Sequence, residues 1–114
     1  MTQKPYHLDE PRRAAVLVGL RTVCNRRGWT LLAVHVRSSH IHIVLEADRN
    51  PELVMSALKA YASRKLNESE HDRRRWARHG STRYLRSATE IRAAVDYVIS
   101  KQGEAMETFM PASS

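Results

Sequence analysis

The sequence predicts an α+β sandwich in which helices lie on one side of a small antiparallel sheet. Three observations predict it. Helical and strand periodicities follow one another in the order α-β-β-α-β-α. Two of the strands are joined by a pair of serines, the length of a tight hairpin turn. And 114 residues, 42% of them hydrophobic and 27% charged, suit a single folded domain with one core.

Asp9 caps a first helix that starts near Pro11, carries the stripe Val16, Leu17, Leu20, Val23 and Cys24, and stops at Gly28 after Arg26 and Arg27. Trp29 to Val36 and His40 to Ala47 read as strands flanking the turn Ser38-Ser39. Asn50 and Pro51 open a second helix with Val54, Ala57, Leu58 and Tyr61 on its apolar side, fading after Leu66-Asn67. Glu68 to Gly80 is polar and arginine-rich and reads as a loop or frayed end. Ser81 to Arg86 can form a short strand. Ser87 and Glu90 then make a capping box for a third helix running to Gln102, with Gly103 as its stop. The domain is expected over residues 1–107, with 108–114 as a flexible tail.

The formal charge of +7 favours a polyanionic partner, nucleic acid before a membrane surface, since no basic helix carries a bulky aromatic face. The N-terminus has no signal-peptide core and no stretch approaches a membrane span, so the cytoplasm is the expected compartment. A single cysteine, Cys24, excludes an internal disulfide and reads as a small core hydrophobe.

Alternate residues of a strand share a face, so His40 and His42 present two imidazoles side by side while Ile41 and Ile43 turn the other way. Such a pair can share a divalent cation, although a strand histidine is as readily a hydrogen-bonded core residue. If the serines form a two-residue turn, His35 lies opposite His42 and a third imidazole joins the face. On the third helix, Tyr97 falls away from the stripe Ile91, Ala94, Val95, Val98 and Ile99, with Lys101 one turn on, placed to favour a phenolate or to touch a phosphate. A tyrosine there is either a flank-packing side chain or a reactive group. Arg73, Arg74, Arg75, Arg78, Arg83 and Arg86 are interleaved with Trp76 and Tyr84, the mixture of cations and stacking surfaces that single-stranded nucleic acid requires. Lys59 and Arg64 on the second helix extend the set. The plainer reading is a solvated basic loop anchored by Trp76.

The stretches LLAVHVRSSHIHIVLEA, LKAYASRKLN, WARHGSTRYL and YVISKQGE, in this order, carry a resemblance that covers most of the chain. The chain resembles the IS200-like, HUH single-tyrosine transposases, particularly those associated with repetitive extragenic palindromes. The resemblance implies a ferredoxin-like fold, Mg²⁺ or Mn²⁺ held by His40 and His42, and cleavage of single-stranded DNA near hairpins through a phosphotyrosine at Tyr97. It implies a homodimer, for which the hydrophobic hairpin is available. It also implies a third ligand from the tyrosine-bearing helix, here Gln102 if that helix unwinds near Gly103, with His35 as the alternative. One departure is that family members begin with a strand before the first helix, whereas this chain starts almost at the helix, which leaves the sheet short of its first strand and the activity in question. Two further functions remain open on the sequence: a nucleic-acid-binding module without chemistry, and a metal-dependent hydrolase using His35, His40 and His42.

Overall fold

A computed structural model describes residues 6–76 and 82–111. The elements are α1 (Glu10–Arg27), β1 (Thr30–Val36), β2 (Ile41–Glu46), α2 (Pro51–Leu66), α3 (Ala88–Ser100) and β3 (Glu107–Phe109). The three strands form one antiparallel sheet in the order β2-β1-β3. The fold is therefore α+β, with helices packed on a small antiparallel sheet.

Local chemistry sets the element ends. Asp9 accepts the backbone N–H of Arg12 at 3.1 Å, and Gly28 closes α1 in the left-handed conformation at φ 73°. Asn50 caps α2 through the N–H of Glu52 at 2.8 Å, and Ser87 caps α3 through the N–H of Glu90 at 3.1 Å. The hairpin closes through Arg37 N–H to His40 C=O at 2.8 Å, and its register sets His35 opposite His42. Where α1 crosses α2, a side chain at Gly19 would sit 2.9 Å from the Tyr61 carbonyl oxygen and 3.0 Å from the Ala62 Cα. The two helices approach this closely because Gly19 has no Cβ.

The main core lies between α1, α2 and one face of the sheet, with Val16, Leu20, Val23, Val34, Val36, Leu58 and Leu66 buried together. Three expectations need correcting. The helices do not all share one side, because α3 packs through Val98 on Ala33 and Val44, whose side chains alternate away from those of Val34 and Val36. The cause is β1 itself, which is buried at every position from Ala33 to Val36 and so requires cover on both faces. Thr82 to Arg86 form no strand; Leu85 alone of this run packs inward, so the alternating burial that would drive pairing is missing. Ser81 lies outside the described residues.

The third strand comes instead from the segment expected to be a tail. Glu107–Phe109 pairs with Val34–Val36, and Phe109 packs on the core beneath the Arg21 guanidinium, 4.3 Å from the ring centroid. Among the described residues no strand precedes α1. Residues 6–9 are docked all the same, by a buried Leu8 whose N–H donates to the Ser38 carbonyl at 2.8 Å.

Candidate active site

The histidine pair stands on the sheet face that α3 covers. His40 and His42 stack with ring centroids 6.3 Å apart and planes 13° from parallel, as two side chains on alternate strand positions must. The Ser39 hydroxyl lies 2.9 Å from His40 Nδ1, which fixes the ring and leaves Nε2 for another partner. His42 is half-buried, and burial first, then the nearby His40, His35 and Arg37, push its pKa below the ordinary histidine value. A ring held neutral keeps a lone pair for coordination.

His35 does something other than join that pair. It is wholly buried; Nδ1 lies 3.1 Å from the Val98 carbonyl and Nε2 accepts the Met106 N–H at 2.9 Å. These partners assign the tautomer, Nδ1–H donating and Nε2 accepting. The register expected for three converging histidines is present, but His35 has no nitrogen left for a metal in this arrangement. Its bonds tie the last turn of α3 and the approach to β3 into the central strand. Arg37, two residues on, reinforces the connection by donating from a terminal guanidinium nitrogen to the Glu104 carbonyl at 3.0 Å.

Tyr97 is 57% exposed and precedes the carbonyl that His35 holds. The third helix ends at Ser100, and Gly103 adopts φ 76°, so the chain does leave the helix before Gln102. Gln102 Nε2 is buried with no hydrogen-bond partner. Among the described residues no set of three His, Cys, Asp or Glu side chains could hold a metal ion.

An open groove of about 860 Å³ runs along β2 toward α2, and His40, His42, Lys59, Arg75, Trp76, Arg83 and Tyr84 are among its lining residues. Arg49, which the sequence did not single out, lines it as well. Tyr97, Gln102, Lys101, Arg64, Arg73, Arg74 and Arg86 lie outside the groove, and Arg78 lies outside the described residues. Arg83 and Tyr84 are exposed and free to meet a ligand.

Arg75 has another occupation. Its Nε donates to Glu70 at 3.2 Å and one terminal nitrogen to Asn67 at 2.7 Å and the His71 carbonyl at 3.1 Å. Glu70 also accepts from Tyr6 and, at 2.9 Å, from Arg12, so three donors meet on one carboxylate. Burial alone would raise the pKa of Glu70; the bonds from Tyr6, Arg12 and Arg75 outweigh it and leave the group below its usual value. Trp76 is likewise an anchor, its indole N–H donating to the Ser63 hydroxyl at 2.7 Å. Nothing local in the sequence marks His35, Arg37 or Glu70 for these roles, and Ser39 is marked only by its place beside His40.

The family model described as Transposase IS200 like matches residues 5–98. The chain belongs to the IS200-like transposase family. The matched span of this transposase-family domain holds His40, His42 and Tyr97 and ends before Gln102. Membership carries a transposase role, that of a DNA-processing enzyme in transposition and recombination. No curated protein and no solved structure matches the chain significantly. Among the described residues no helix is long and apolar enough to cross a membrane.

Proposed function

We propose that this transposase-family domain cuts and rejoins single-stranded DNA beside a hairpin, with Tyr97 as nucleophile and Mg²⁺ or Mn²⁺ held by His40, His42 and Gln102. The observation that carries the reading is that the histidine pair and the tyrosine-bearing helix occupy the same sheet face and are tied together through His35. The imidazoles suit a divalent ion, His42 kept neutral and His40 oriented by Ser39, and Gln102 would bind through its amide oxygen rather than through the partnerless Nε2. When bound, such an ion polarises a phosphate and steadies the charge that develops on it.

The exposed Tyr97 phenol attacks the scissile phosphorus, forming a 5′-phosphotyrosine and breaking the bond to the 3′ oxygen, which leaves with a proton as a free hydroxyl. The phosphotyrosine conserves the energy of the phosphodiester, so the reverse attack by a 3′-hydroxyl rejoins a strand without ATP. Arg83, Tyr84 and Lys59 in the groove, with Trp76 beside them, meet the strand's phosphates and bases. The protein acts in the cytoplasm as a homodimer formed through the hydrophobic hairpin, whose outer strand β2 stands at the edge of the sheet.

A second reading, a nucleic-acid-binding module without chemistry, is favoured by the position of Tyr97 and Gln102 outside the groove that the histidines line. One experiment separates them. A single-stranded hairpin oligonucleotide with Mn²⁺ should give a denaturant-resistant protein–DNA adduct that Tyr97→Phe abolishes. Equal DNA binding by wild type and variant, with no adduct from either, would establish the binding module instead.

A further inference from the structure

On the other side of the sheet, away from the histidines, α1 and α2 present a cluster that the proposed chemistry does not use. The Tyr61 ring packs at its base on the main core, and two guanidiniums lie over it: Arg64 at 5.0 Å and Arg26 at 5.9 Å from the centroid. Arg27 follows on the same helix end, 6.0 Å from the Trp29 ring. All three arginines are exposed, and among the described residues none has a carboxylate within ion-pair distance. The contrast with Arg12, Arg75 and Lys65, each paired to Asp or Glu, is direct.

The chemistry of the cluster selects its ligand. Because the cations already lie over the tyrosine ring, that ring offers little face to a nucleobase. The N–H edges of the guanidiniums remain, planar forks suited to phosphate oxygens, and the ring braces them so that less side-chain freedom is lost on binding. Arg26 first, and Arg27 after it, also hold the Tyr61 pKa below its ordinary value, against the opposing effect of burial. Arg27 lies by Trp29 and lines a cavity of about 320 Å³ with Glu46 and Asp48, neither of them within ion-pair distance. Arg26 and Arg64 are the pair that the Tyr61 ring holds together.

We propose that Arg26 and Arg64, braced on Tyr61, form a second phosphodiester-binding site on the helical face, gripping nucleic acid outside the histidine groove. The inference rests on the reading of the protein as a DNA binder and is independent of whether Tyr97 cleaves. The molecule extends 45 × 31 × 26 Å, so at 3.4 Å per base pair a substrate needs on the order of ten base pairs beyond the groove to reach both faces. The stem of a hairpin supplies that length.

The test is the salt dependence of binding by the full chain, wild type against the double variant Arg26→Gln/Arg64→Gln. Two probes are used: a hairpin with about 20 base pairs of stem, and a single strand of about six nucleotides that fills only the groove. Each phosphate contact contributes about 0.7–0.9 to the log–log slope, so the variant should lose about 1.4–1.8 from its slope on the long hairpin and nothing on the short strand. Circular dichroism should show the variant folded, since both side chains are at the surface. An unchanged slope on the hairpin, or an equal loss on both probes, would overturn the proposal. So would arginine-dependent binding to phosphatidylglycerol vesicles with the DNA slope intact. Binding is read without cleavage, so a lost slope with no adduct in the wild type would sink the proposed chemistry and leave this site standing. A normal adduct with an unchanged slope would do the reverse.

Discussion

Replacing His35 with leucine removes a buried clasp while keeping most of its volume. Two groups then lose a partner, the buried Val98 carbonyl and the N–H of Met106, a residue 37% exposed. An orphaned buried group costs about 1–3 kcal/mol, and one that water partly reaches costs less. With little cavity left behind, the total is about 3 kcal/mol. For a domain of this size that is a fall in Tm of about 12 °C or more. His35→Asn can still donate toward Val98 but cannot reach Met106, and should recover about half of the loss. Thermal unfolding followed by circular dichroism measures this part. The second part is chemical: well below Tm, adduct formation should slow in His35→Leu, because Tyr97 adjoins the released carbonyl, while Mn²⁺ affinity stays within about twofold of wild type. A leucine variant as stable as wild type would refute the clasp. Should Mn²⁺ affinity collapse while Tm holds, His35 would be a metal ligand and the hydrogen-bond account wrong.

Two other substitutions check the scaffold. Gly19→Ala adds about 1 kcal/mol of helix propensity but drives a Cβ to 2.9 Å from the Tyr61 carbonyl, an overpacking cost of about 1–3 kcal/mol; urea unfolding should show a net loss of about 1 kcal/mol, and a more stable variant would contradict the close crossing. Glu70 has a lowered pKa in the folded state, so its contribution to stability is complete above the ordinary carboxylate value and is lost as pH falls through the folded one. Below about pH 4.5 the wild-type Tm should therefore drop more steeply than that of Glu70→Gln, and parallel curves for the two would remove Glu70 from the account.

How much of this was legible in the sequence follows from how local each cause is. Asp9, Gly28, Asn50 and Ser87 act within one turn of their own helix, and each sits where the helix signals place it. The shared face of His40 and His42 follows from strand alternation alone, and the pairing of His35 with His42 from the length of the turn. The bonds that define His35 cross 63 and 71 residues of chain, which no periodicity encodes. Glu107–Phe109 is a strand only because β1 offers it an edge; three residues carry too little pattern to be read alone. Arg75 looked like its arginine neighbours until Glu70, Asn67 and the His71 carbonyl claimed its nitrogens. The placement of α3 did leave a trace, since β1 is apolar at Ala33 as well as at Val34 and Val36, the mark of a strand covered on both sides.

The two edges of the sheet are finished differently. On one side β3 is only three residues long, too short to seed pairing with another molecule. On the other side β2 runs six residues, Ile41 to Glu46, with no strand among the described residues hydrogen-bonded beyond it and only its last residue, Glu46, charged at neutral pH. Natural edge strands are commonly guarded by lysine or proline along their length, and this one has neither within it. The same openness that suits a partner strand therefore makes the free chain prone to stack into larger aggregates, and its solubility in isolation will fall as concentration rises.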